Sequence, residues 1–148
     1  MKLLQLLIAI LMTIISTSCL ESDNCRSEKS LFNEGWAFFK ADSLMSINEK
    51  EIIKGIFPSQ AVEVTLPHTP SIEPLVVTDQ WQGICYYKKM FSLEGSDKNA
   101  NLFLKFEGAM NVADVWVNGI HIIKHTGGYL PFTIDISKVV NLKSLNTV

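Results

Sequence analysis

From Val62 to Ile136 the apolar residues recur at every second position in short runs. That period belongs to a strand with one buried face, whereas a helix repeats its apolar stripe every three to four residues. Val62, Val64 and Leu66 alternate with Glu63 and Thr65, and Leu102, Leu104 and Phe106 with Phe103, Lys105 and Glu107. Ala113, Val115 and Val117 alternate with Asp114, Trp116 and Asn118, and Phe132, Ile134 and Ile136 with Thr133 and Asp135. Tyr87, Phe91 and Leu93 share one face of a further run, and Trp36 to Lys40 reads as an earlier strand. Asn118-Gly119, between two alternating runs, is a strong hairpin signal, because both residues of the tight turn need positive φ. Gly95-Ser96-Asp97 and Gly127-Gly128 break the chain between other runs. One short helix is expected over Ile47 to Lys54, with Ser46 and Glu49 at capping-box spacing and Gly55 at the left-handed position after its end. The pattern predicts an all-β fold of antiparallel strands, a sandwich or a barrel.

The 148 residues suit one domain. A (β/α)₈ barrel, which takes roughly 250 residues, does not fit. Thirteen Lys and Arg against fifteen Asp and Glu give a net charge of −2, which leaves no electrostatic footprint for nucleic acid. Lys2 precedes an apolar run from Leu3 to Ile15 broken only by Gln5 and Thr13. Its length suits the core of a secretory signal and falls short of the ~20 residues of a spanning helix. Ser16-Thr17-Ser18-Cys19 resembles a bacterial lipobox, with Ser16 where that motif usually carries Leu. Residues 1–18 are therefore expected to be a signal peptide, and Cys19 an acylated N-terminus on a polar tether over 19–30. The chain would then be exported, to the periplasm or to the outer membrane or cell surface, and meet the membrane through its lipid anchor. Ordinary cleavage nearby, leaving Cys19 unmodified, is the alternative. Cys25 and Cys85 are expected to be unpaired thiols, with Cys85 serving packing.

No catalytic constellation stands out. Asp114 and Asp135 fall inside strands and are expected on a solvent face. His121 and His125, four apart on one strand, are expected on the same face, but no third ligand falls at sensible spacing, so no metal and no cofactor is expected. His68 lies in a loop after Pro67. Neither a phosphate-cradling Gly-rich loop nor a Gly-x-Ser-x-Gly elbow occurs. Aromatic residues are more informative. Trp36, Trp81, Trp116, Tyr86, Tyr87 and Tyr129 are candidates to stack on the apolar faces of sugar rings. Trp36 and Trp116 are also expected to fill the core or an interdomain contact. Trp81 sits in the turn-rich loop Thr78 to Gly83, where nothing obliges it to be buried.

Five segments in order resemble the N-terminal sugar-binding domain of glycoside hydrolase family 2, the family of β-galactosidases, β-glucuronidases and β-mannosidases. They are Leu31 to Phe38; Val64-Thr65-Leu66-Pro67-His68-Thr69; Trp81-Gln82-Gly83 with Tyr87-Lys88-Lys89-Met90-Phe91; Phe106-Glu107-Gly108-Ala109 with Ala113 to Gly119; and Gly127 to Phe132 with Asp135-Ile136. The resemblance spans about residues 31–148. It implies an antiparallel jelly-roll, galactose-binding-like β-sandwich packed beside a catalytic (β/α)₈ barrel. Both glutamates of the family's retaining mechanism belong to that barrel and have no counterpart here. It also implies that the loop before the Tyr-Lys-Lys strand helps to shape the substrate pocket, which makes Asp79, Gln80, Trp81 and Gln82 the candidate carbohydrate contacts. Lys88 stands where the family usually has Arg. Asn146-Thr147-Val148 reads as the start of a strand, so the sandwich is expected to be incomplete at its C-terminus. A stand-alone glycan-binding module and a purely structural docking domain are the other readings.

Overall fold

The computed structural model describes residues 27–41, 48–70, 83–93 and 100–148. Among them are nine strands and one short helix, and every strand pair is antiparallel. One compact unit runs from Phe32 to Val148. β1 (Trp36–Lys40) is the central strand of a three-stranded sheet, with β2 (Val62–Val64) on one side and β3 (Cys85–Lys88) on the other. The remaining strands are β4 (Met90–Phe91), β5 (Phe103–Phe106), β6 (Val112–Val117), β7 (Ile120–Thr126), β8 (Phe132–Asp135) and β9 (Asn146–Thr147). They pair as β6 with β7, β5 with β8, and β4 with β9. The three pairs are nested about a single turn. A long antiparallel hairpin rolled upon itself has this connectivity, and it is the plan of a jelly roll.

The turn at the centre is Asn118-Gly119, with φ of 52° and 79°. Both values lie in the left-handed region, as the two-residue hairpin requires, and only Asn, Asp and Gly enter it cheaply. The alternation read from sequence sets the buried face. Val115, Val117, Ile134 and Ile136 form the core cluster, with Phe91, Leu104, Phe106 and Val148 packed against it. Phe103, one residue off that face, is 57% exposed.

β1 departs from simple alternation, because Phe38 and Phe39 are both buried. Neighbouring strand residues point to opposite faces, so both faces of β1 are covered. On one, Phe38 meets Tyr87 at 4.9 Å and His68 at 4.5 Å between ring centres. On the other, Phe39 stacks on Tyr86 at 5.0 Å and meets Phe57 edge-on. Phe57 arrives on the segment after the helix, α1 (Glu49–Ile53).

The helix is shorter than expected. Its N-cap is Asn48, whose side chain makes no capping bond but donates to Glu51 Oε1 at 3.0 Å. Ser46 lies outside the described residues. The expected C-terminal stop is present. Gly55 has φ of 82°, its N–H donates to Ile52 O, and the Ile56 N–H donates to Glu51 O, a complete Schellman motif. A Cβ on Gly55 would stand 3.0 Å from Thr147 Cγ2, so the residue serves close packing against β9 as well as the turn.

The expected same-face placement of His121 and His125 does not hold. Val115 pairs with Ile123 and Trp116 with His121, which leaves Ile122 as an extra residue on β7. A bulge of one residue reverses the alternation beyond it. His125 therefore lies opposite Ala113 on the inner face, and His121 lies opposite Trp116 on the outer face.

Ile134 and Thr133 are neighbours on opposite faces of β8, which allows a direct check of the burial pattern. Ile134→Ala should cost about 2–5 kcal/mol through the cavity it leaves. Thr133→Ala should cost about 1 kcal/mol or less. Urea unfolding of the two variants measures both.

Candidate functional site

Contact with a sugar ring needs an aromatic face that is open, and burial separates the candidates. Trp36 is 5% exposed, its Nε1 donates to Phe32 O at 2.7 Å, and its ring meets Phe32 edge-on. It is a core residue, as expected. Trp116 is not in the core. It lies half-buried on the outer face of β6, with the His121 ring tilted against it at 5.1 Å. Around it the outer face is polar: His121 Nε2 donates to Asp114 Oδ1 at 2.9 Å, and Lys124 Nζ is 3.7 Å from Asp114 Oδ2. Asp114 is exposed, as the strand pattern predicts. Asp135 is exposed too; its Oδ1 accepts from the Ser137 N–H at 2.9 Å and from Ser137 Oγ at 2.6 Å. Those hydrogen bonds hold its carboxyl below the ordinary range.

Tyr86 and Tyr87 are half-buried, and their rings are engaged with Phe39 and Phe38. Tyr87 OH and His68 Nδ1 share a hydrogen bond of 3.0 Å. Burial raises the phenol of Tyr87 to about 12, and the neighbouring Cys85 adds to the shift. Tyr86 moves in the same direction through burial and the charge of Glu49. Burial also raises the Cys85 thiol, partly offset by Lys40, so Cys85 is a poor nucleophile and a packing residue. It forms no disulfide with a described residue.

Tyr129 is the most open of the described candidates, 85% exposed. It lies on the β7–β8 loop, which meets the β5–β6 loop at the end of the nested hairpin opposite Asn118. The Gly127 N–H donates to Asn111 O at 2.8 Å, and His125 Nε2 donates to Gly127 O at 3.1 Å. Behind the loops the His125, Phe132 and Phe106 rings form a continuous stack, with spacings of 4.1 and 4.7 Å. In front, Met110, Tyr129 and Leu130 are exposed. Met110 and Leu130 were not singled out from sequence; the available signal was an apolar residue in a turn-rich segment that no strand can bury. This end presents apolar and aromatic surface. Among the described residues no group of three His, Cys, Asp or Glu side chains is placed to hold a metal ion. Asp79, Gln80, Trp81 and Gln82 lie outside the described residues, as do Cys19 and Cys25.

A family model described as glycosyl hydrolase 2 galactose-binding domain-like matches residues 45–148. A β-galactosidase of Thermoanaerobacter pseudethanolicus is 30% identical over 112 residues, covering 74% of this chain and 14% of that protein. A β-glucuronidase of Bacteroides fragilis is 36% identical over 87 residues, 57% of this chain and 12% of that protein. The chain thus spans a small part of the length of the curated relatives it matches. The crystal structure of a Bacteroides uniformis β-glucuronidase superposes on 80% of this chain and 14% of its own, with a TM-score of 0.70 at 23% identity. That likeness establishes the β-sandwich fold.

The Tyr87 phenol gives the structure an alkaline signature. The folded chain keeps a proton that the unfolded chain releases near the ordinary value of 10, so stability falls as pH rises from about 10 towards 12. Below that window the contribution is constant. Urea midpoints measured across it should drop for the unaltered chain. Tyr87→Phe should reduce the drop, with Tyr86 and Cys85 supplying the remainder. An undiminished drop in the variant would assign it to other groups.

Proposed function

Because the chain belongs to the galactose-binding-like domain family of glycosyl hydrolase 2, we propose that it is the non-catalytic, carbohydrate-facing domain of an exported β-glycosidase. The observation that carries this reading is the family match over 45–148, against two relatives of which the chain covers 14% and 12%. The named relatives act on β-glucuronides or β-galactosides, so a terminal sugar of one of those kinds is the ligand we assign. The partner we assign is a catalytic (β/α)₈ barrel. Two features support a role in contact rather than chemistry. The Asp114, Asp135 and Glu107 carboxylates are each engaged by a neighbouring side chain, and the exposed end formed by Met110, Tyr129 and Leu130 is apolar. Asp79, Gln80, Trp81 and Gln82 remain our candidates for the polar and stacking contacts to sugar.

The full chain in detergent should bind methyl β-galactoside or methyl β-glucuronide weakly, and Trp81→Ala should weaken binding without lowering the melting temperature. It should not hydrolyse aryl β-galactosides or β-glucuronides. Turnover abolished by mutating one of its own carboxylates would overturn the non-catalytic reading. A chain that binds neither sugar would favour the structural docking role.

Export and anchoring form part of the same proposal, supported by the apolar run Leu3 to Ile15 and the Ser-Thr-Ser-Cys sequence that ends at Cys19. Mass spectrometry of the N-terminus after expression in a bacterial host should find Cys19 as the first residue, carrying acyl chains. An unmodified Cys19 within a soluble mature chain would replace the anchor with ordinary secretion.

A further inference from the structure

The turn of the β6–β7 hairpin is an Asn-Gly dipeptide, in which side chain and backbone can react with each other. The Gly119 amide nitrogen attacks the Asn118 side-chain carbonyl carbon and a C–N bond forms. The side-chain nitrogen departs as ammonia, taking the proton that the Gly119 nitrogen gives up, and a succinimide ring remains. Water then adds to one ring carbonyl and breaks a ring C–N bond, leaving aspartate or isoaspartate. One water is consumed for each ammonia released. Glycine after the asparagine favours the step, since no Cβ shields the attacking nitrogen.

Here the carboxamide is held on every side. Asn118 Nδ2 donates to Val139 O at 2.8 Å and to Asn146 Oδ1 at 2.8 Å, while Asn118 Oδ1 accepts from the Thr147 N–H at 2.9 Å. The Asn118 N–H in turn donates to Thr147 O at 2.8 Å. Ring closure requires the carboxamide to swing towards the Gly119 nitrogen, which breaks all three side-chain bonds. We propose that Asn118 is a modification site, a succinimide-forming asparagine kept unreactive by β9 and released to deamidate when β9 lets go. The change is one-way. A carboxylate at 118 would set an oxygen against the Val139 carbonyl and Asn146 Oδ1, both acceptors. Asn146 cannot turn its amide round to help. Its Oδ1 also accepts from the Asn141 N–H at 2.6 Å, and its Nδ2 donates to Asn141 O at 2.8 Å and Ser144 O at 3.3 Å. It is also fully buried. A deamidated hairpin therefore cannot refasten β9 as before.

The test follows the full chain at mildly alkaline pH by peptide mapping, mass spectrometry and isoaspartate labelling, in native buffer and in urea. Deamidation at Asn118 should be at least about tenfold slower in native buffer. Thr147→Pro, which removes the donor to Asn118 Oδ1, should bring the native rate towards the rate in urea. Asn118→Asp should melt at a lower temperature than the unaltered chain. Equal rates in the two buffers would overturn the proposal, and that comparison needs no variant to fold. A folded Thr147→Pro chain with the unaltered chain's rate, or an Asn118→Asp chain with its melting temperature, would overturn it equally.

Discussion

The hydrogen bond between the amides of Asn118 and Asn146 joins three parts of the chain that sequence keeps apart. Asn118 is the hairpin turn, Asn146 begins the last strand, and both hold the loop that carries Val139 and Asn141. Asn146 is fully buried, a costly place for an amide unless every donor and acceptor is met. All are met, and among the described residues no buried side-chain nitrogen or oxygen lacks a partner. The outermost of the nested pairs, β4 with β9, is only two residues long, with Lys89 and Val148 exchanging N–H···O bonds beside it. So short a ladder is marginal alone. The amide network supplies the further bonds that keep β9 in place.

The same junction ties the first sheet to the nested pairs. Lys88 ends β3, and its Nζ donates to Gly55 O at 2.9 Å at the C-terminus of α1, where the exposed carbonyls favour a cation. Its ammonium also lies over the Phe57 ring. Lys89, the next residue, turns to the other side, where its Nζ reaches Glu34 O and the Phe32 ring. Two adjacent lysines thus fasten opposite sides of the strand at the point where it passes from pairing with β1 to pairing with β9.

The β5–β6 and β7–β8 loops close against each other and are backed by the His125, Phe132 and Phe106 stack. Met110, Tyr129 and Leu130 are exposed on these loops, in front of that half-buried stack. Three of the described acids are engaged by neighbouring side chains: Asp114 with His121 and Lys124, Asp135 with Ser137, and Glu107 with Lys105.

Much of this was legible in the residues themselves. Alternation placed Val115, Val117, Ile134 and Ile136 inside and Asp114 and Asp135 outside, because side chains on a strand alternate whatever lies beyond it. Asn118-Gly119 announced the hairpin, and Gly55 the helix end, because positive φ is a local demand that few residues meet. The family resemblance rested on ordered short segments, and it pointed to the jelly roll. Only the tertiary structure decided the rest. A bulge at Ile122 put His121 and His125 on opposite faces, and no local pattern marks which strand of a pair carries the extra residue. Trp116 turned outward because its neighbours on both sides face the core. The carboxamide of Asn118 became the fastening for β9 because a strand distant in sequence arrives beside it. Alternation and turn chemistry are properties of adjacent residues, whereas hydrogen-bond partners across the fold exist only once the chain has closed.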